Sequence, residues 1–143
     1  MNSKTIVFNL NNIDRVAKII CSKLNTTNIL FLNGCLGSGK TTLVKHIVQE
    51  LGGDHNEVTS PTFNLLHVYS ALKHDVYHYD LYRLKYKNEL VNLGIEDVIS
   101  AGIVIVEWGS ILRKILSCYD YINVDINLCE QESYRKIIIK YKF

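Results

Sequence analysis

Apolar residues recur at two spacings along this 143-residue chain, and the two kinds of segment alternate. Residues 5–10 read as a short extended segment. Asn11-Asn12 then precede Ile13, Val16, Ala17, Ile20 and Leu24, a helical spacing that predicts a helix capped by asparagine and ending near Lys23. Ile29-Leu30-Phe31-Leu32 is unbroken apolar sequence bounded by Asn and Gly, as expected of a parallel strand covered on both faces. From Lys40, Leu43, Val44, Ile47, Val48 and Leu51 mark one helical face, and Gly52-Gly53 supplies a left-handed stop. Residues 59–63 are a polar loop. Residues 65–70 and 75–80 read as strands joined through 71–74, the second placing Val76, His78 and Asp80 on one face and Tyr77 and Tyr79 on the other. Residues 90–100 are partly helical and broken at Gly94, and 103–106 form a second buried-strand signal. A helix over 110–116 and strands near 121–127 and 134–141 complete the pattern. Strands alternating with helices predict an α/β fold: a mostly parallel sheet with antiparallel additions, flanked by helices, in a single domain over 1–143.

Composition narrows the function classes. With 48% hydrophobic and 21% charged residues, the chain is neither disordered nor a linker, and its size supports a core without covalent staples. Sixteen Lys+Arg against 14 Asp+Glu, with no block of one sign, argue against a polyanion-coating surface, so strong direct binding of nucleic acid is not expected. Cys21, Cys35, Cys118 and Cys129 stand far apart and away from zinc-ligand spacing, and no apolar run approaches the length of a membrane span. These features favour a reduced cytoplasm and no membrane.

Gly34-Cys35-Leu36-Gly37-Ser38-Gly39-Lys40-Thr41 fits G-x-x-x-x-G-K-[ST], the phosphate-binding P-loop, and it lies between an apolar strand and an amphipathic helix. There the loop amides and helix N-terminus converge on phosphate oxygens, Lys40 reaches the β/γ-phosphates, and the Thr41 hydroxyl binds Mg²⁺. Magnesium also calls for a carboxylate at a neighbouring strand end, and Glu107 closes the run 103–106. Asp80 ends another strand-like segment. It either orients the attacking water or pairs structurally with Arg83. His78 reads as a packing residue or a hydrogen-bond partner. Thr59-Ser60-Pro61-Thr62 is either a plain turn or a switch folding over a γ-phosphate.

The order G-x-L-G-x-G-K-T-T (residues 34–42, ending at Thr42), S-P-T-F (60–63), H-x-D-L-Y-R (78–83) and V-E-W (106–108) resembles the TsaE (YjeE) family over nearly the whole chain. That family is the small ATPase of bacterial tRNA threonylcarbamoyladenosine formation. The resemblance implies a partner-dependent P-loop ATPase that serves the TsaB–TsaD pair, which installs the threonylcarbamoyl group on adenosine 37 of tRNAs reading codons beginning with A. It implies ATP as substrate and Mg²⁺ as cofactor, Thr41 and Glu107 as magnesium ligands, and Asp80 and Lys40 in hydrolysis. It also implies Ser60 and Thr62 in a switch, Trp108 beside the nucleotide, and Arg135 as a basic residue approaching it. Two positions depart from the pattern. Asn9-Leu10-Asn11-Asn12-Ile13 stands where the family has Thr followed by Leu-Gly, so the resemblance carries no adenine contact to that stretch. Cys35 occupies a position where an acidic or amide residue is common, as a tolerated substitution or a redox-active thiol.

Rival readings are weaker on the residues. A GTPase lacks its N-K-x-D and D-x-x-G motifs here. A nucleoside or metabolite kinase needs an arginine-bearing lid, whereas Arg15, Arg83, Arg113 and Arg135 are dispersed. A nucleotide-gated adaptor with negligible hydrolysis is the reading from another class.

Overall fold

The apolar run at residues 29–32 becomes β2 (Ile29–Asn33), the central strand of a seven-stranded sheet in the computed structural model, which describes residues 1–141. Leu30 and Leu32 join the apolar cluster that holds Ile20, Leu43 and Ile47. Ile29 and Phe31 join the opposite cluster with Ile95, Leu112 and Leu116. Both faces are thus covered, which is why the run shows no polar alternation. The first cluster is closed by α1 (Ile13–Leu24) and α2 (Lys40–Glu50), the second by α3 (Ile95–Ile99), α4 (Ser110–Arg113) and a 3-10 turn over Lys87–Leu93.

The other strands are β1 (Asn2–Phe8), β3 (Leu66–Tyr69), β4 (Val76–Asp80), β5 (Ile103–Glu107), β6 (Ile122–Leu128) and β7 (Arg135–Tyr141), in the spatial order β1-β7-β6-β2-β5-β4-β3. Strands β6, β2, β5 and β4 are parallel, while β7 and β1 at one edge and β3 at the other are antiparallel. This is the mostly parallel α/β sheet with antiparallel additions that the alternation predicts. Because β4 and β5 run parallel with Asp80 opposite Glu107, and β2 pairs Leu32 with Glu107, three strands end together at the edge where the chain turns into residues 34–39.

Local differences from the sequence expectation have identifiable causes. The first strand starts at Asn2 rather than residue 5, because its extent is set by pairing with β7 from Asn2↔Tyr141 to Phe8↔Arg135 and not by burial. Asn12 occupies the cap position of α1 but makes no side-chain cap bond. Its Oδ1 instead accepts from Asn9 N at 2.7 Å, so a local turn wins the side chain. The helix expected over 110–116 is regular only to Arg113, although Leu116 N still donates to Leu112 O at 2.9 Å. The stop at Gly52-Gly53 matches expectation: Gly52 has φ +86° and Gly53 N donates back to Val48 O at 2.9 Å. Gly94 breaks the 87–99 region at φ +63°, also as expected.

Candidate nucleotide site

Residues 34–39 leave β2 and curl into the start of α2. Gly37 and Gly39 take φ +77° and +103°, where side chains other than glycine are strained, and Leu43 N donates to Gly39 O at 2.9 Å to begin the helix. A Cβ at Gly34 would strike Ser38 Oγ, so the loop closes on itself there. The first amides of α2 have no intrahelical acceptor and, with the helix dipole, form an anion-favouring end. Lys40 is only 6% exposed, and its Nζ donates to Gly34 O at 2.7 Å and Cys35 O at 3.0 Å. The same ammonium lies 4.7 Å from the Trp108 ring centroid.

A cleft of about 320 Å³ opens here, lined by Leu36, Gly37, Gly39, Lys40, Thr41, Thr42, Ser60, Thr62, Asp80, Glu107 and Trp108. Eleven of the residues expected at the site are therefore neighbours in space. Asp80 and Glu107 are each 2% exposed and sit side by side at the ends of β4 and β5. Asp80 Oδ2 accepts from Thr62 Oγ1 at 2.8 Å and Oδ1 accepts from Tyr82 N at 2.9 Å. Its alternative partner is engaged elsewhere: the Arg83 guanidinium lies over the Phe63 ring at 4.2 Å, and among the described residues it forms no ion pair with Asp80. Ser60 Oγ is 2.8 Å from Thr62 Oγ1, so the 59–62 segment reaches Asp80 through two hydroxyls. Pro61 O accepts from Leu65 N at 2.7 Å and sets the turn that follows.

Glu107 Oε1 lies 3.0 Å from Nε2 of His78, which is fully buried, and His78 Nδ1 lies 3.0 Å from the Tyr69 hydroxyl. Tyr69 in turn donates to Thr59 O at 3.0 Å. Burial, with the Glu107 charge adding to it, pushes the Tyr69 phenol above its ordinary pKa, which keeps it a donor at neutral pH. Trp108 follows at φ +57°, a conformation that costs a non-glycine residue about 1–3 kcal/mol, and its ring lies 4.9 Å from that of Tyr82.

Arg135 is not in this cleft. It stands on the other side of the P-loop, its Nε donating to Ser38 O at 3.1 Å, and lines a second cleft of about 390 Å³ with Phe8, Asn9, Leu10, Asn11, Ile13, Gly37, Ser38, Gly39, Thr42, Glu132 and Ser133. Cys35 is exposed on the loop. His78 is the hydrogen-bond partner its place in H-x-D-L-Y-R allowed, whereas Tyr69 and the wall formed by residues 8–13 carry no motif that selects them from sequence. Their signal is spatial, through strand register and proximity to the loop.

The donors facing the first cleft, a threonine hydroxyl and two carboxylates, are hard oxygens of the kind magnesium takes alongside phosphate and water. Glu107 Oε2 makes no hydrogen bond among the described residues, so one carboxylate oxygen is left for a cation while the other is held by His78.

The sequence model of the family described as "Threonylcarbamoyl adenosine biosynthesis protein TsaE" matches residues 7–137. The chain belongs to the TsaE family. Relatives bearing the name tRNA threonylcarbamoyladenosine biosynthesis protein TsaE include one from Rickettsia bellii, 36% identical over 132 residues, 92% of this chain and 91% of the relative. Another, from Rickettsia conorii, is 39% identical over 103 residues, 72% of this chain and 59% of the relative. The match thus spans about three-fifths of the Rickettsia conorii protein's length. The crystal structure of Bacillus subtilis YdiB superposes with a TM-score of 0.68 at 22% identity, covering 97% of this chain and 86% of that one, so the two share a fold. Among the described residues no helix is long and apolar enough to cross a membrane.

Proposed function

We propose that this TsaE-family chain binds ATP with Mg²⁺ and hydrolyses it in support of the TsaB–TsaD pair, in forming the threonylcarbamoyl group on adenosine 37 of tRNAs reading codons beginning with A. One observation carries the reading: the in-register ends of β4 and β5 set Asp80 beside Glu107 in the cleft that also holds Lys40 and Thr41. The loop amides and the α2 N-terminus bind the phosphates, and Lys40 turns from the Gly34 and Cys35 carbonyls to the β/γ-phosphate oxygens. Thr41 and Glu107 hold the cation. Magnesium, when bound, neutralises the charge that builds on the phosphate oxygens. Asp80 accepts from, and so orients, the attacking water once Thr62 gives up its hydrogen bond, which makes residues 59–62 the switch. Arg135 and residues 9–13 wall the base side of the loop.

The kinase reading gains nothing from the geometry, because Arg83 stacks on Phe63 and Arg135 holds Ser38 O, so neither lies over the carboxylate cleft. The decisive measurement is ATP turnover by this chain alone and with TsaB and TsaD, coupled to mass analysis of adenosine 37 in tRNA. Stimulated turnover that tracks modification is expected. Background turnover with the partners present overturns the ATPase assignment in favour of an adaptor, and stimulated turnover without modification removes the pathway assignment.

A further inference from the structure

Tyr69, His78 and Glu107 run diagonally across β3, β4 and β5. Tyr69 pairs with Val76, two residues before His78, and His78 pairs with Ile105, two residues before Glu107, so all three project from the face that α2 covers. Their hydrogen bonds form a continuous line from Glu107 Oε1 through the imidazole and the phenol to Thr59 O, where the 59–62 segment begins. His78 is fully buried and Tyr69 2% exposed, so water does not substitute for either partner.

We infer that His78 and Tyr69 are positioning residues: they hold Glu107 Oε1, leave Oε2 to the cation, and tie that grip to Thr59 at the start of the switch. The coupling follows from counting protons. A phenol has one to donate and a neutral imidazole one. With the Tyr69 proton on Thr59 O, the imidazole must donate through Nδ1 and has none for Glu107. With the Tyr69 proton on Nδ1, Nε2–H donates to the ionised carboxylate and Thr59 is released. When the imidazole is neutral, the metal carboxylate and the switch segment therefore compete for one hydroxyl, whereas an imidazolium, with two N–H donors, serves both. Partners of this kind around a metal ligand are worth roughly 10–100-fold in metal affinity or activity.

This inference rests on the nucleotide-site reading, and its test separates the two. Trp108 is the chain's single tryptophan and lines the cleft, so its fluorescence reports the site directly. The full chain is titrated with ADP in EDTA and then, at saturating ADP, with Mg²⁺. Relative to wild type, His78→Leu is expected to raise the half-saturating Mg²⁺ roughly tenfold. Tyr69→Phe should raise it severalfold, and His78→Gln, which restores an N–H toward Glu107, should recover most of the loss. ADP affinity in EDTA is expected to stay within about twofold in all three. Wild-type magnesium midpoints in the folded variants overturn the positioning role while leaving the nucleotide site intact. A wild-type protein whose Trp108 ignores both ADP and Mg²⁺ overturns the site and the inference together. If His78→Leu does not fold, Tyr69→Phe decides alone, since it removes one hydroxyl and keeps the buried ring.

Discussion

The two clefts that flank the P-loop share Gly37, Gly39 and Thr42 yet are built in opposite ways. In the cleft with Asp80 and Glu107 the three charged groups are themselves buried and each is held by the protein: Asp80 by Thr62 and the Tyr82 amide, Glu107 by His78, Lys40 by two loop carbonyls. On the other side the walls are the turn before α1, the 132–133 loop and one arginine, and most of their polar groups face solvent. Charge that develops during a reaction is stabilised best by groups already fixed in place, whereas a flat base needs a slot and little more. The rigid side is thus suited to chemistry and the looser side to grip.

That division is broken most easily at the carboxylates. Asp80→Ala and Glu107→Ala are expected to lower partner-stimulated hydrolysis about 100-fold or more while ATP binding persists, and Lys40→Ala to weaken binding itself roughly tenfold or more. Equilibrium binding of ATP alongside turnover checks both. Equal loss of binding in the three variants would erase the distinction between holding and reacting.

The phosphate side was also the more legible in sequence, for a physical reason. Phosphate chemistry demands particular residue types at fixed offsets, so residues 34–41 and the strand-ending Asp80 and Glu107 stand out against their apolar surroundings. The left-handed stop at Gly52-Gly53 was readable because only a few residues fit there. The link from Tyr69 through His78 to Glu107 was not, because it depends on which residue of β3 faces which of β4, and no local pattern encodes cross-strand register. The open role of Asp80 had the same cause: Arg83 is near in sequence, but Thr62, 18 residues away, supplies the bond. At the cleft lined by Arg135, residues 8–13 look like an ordinary strand-to-helix turn, and the asparagine expected to cap α1 satisfies Asn9 N instead.

The shared loop offers a way to disturb both clefts at once. An alanine at Gly39 meets no atom within 4 Å, so its cost is backbone strain at φ +103°, about 1–2 kcal/mol. At Gly34 the cost is contact, with Ser38 Oγ and with Ile126 O at 3.0 Å. Both variants are expected to lower the thermal midpoint by roughly 3–8 °C, and Gly39→Ala to impair ATP binding as well. Unchanged melting of Gly39→Ala would contradict the left-handed turn on which both clefts depend.

Arg135 gives the smallest and most selective test. Its Nε bond to Ser38 O braces the loop from the second cleft, and its Nη1 donates to Glu132 O at 2.6 Å and Tyr134 O at 2.9 Å, which shapes the opposite wall. Arg135→Gln removes this planar fork without touching Asp80 or Glu107. The expected result is ATP binding weaker by about 1 kcal/mol, roughly five- to tenfold in KM, with kcat unchanged. Arg135→Lys should restore little, because a single ammonium does not reproduce three directed bonds. A fall in kcat comparable to that of Asp80→Ala would mean that the brace on Ser38 is felt by the reacting groups, and the two clefts would have to be treated as one rigid site.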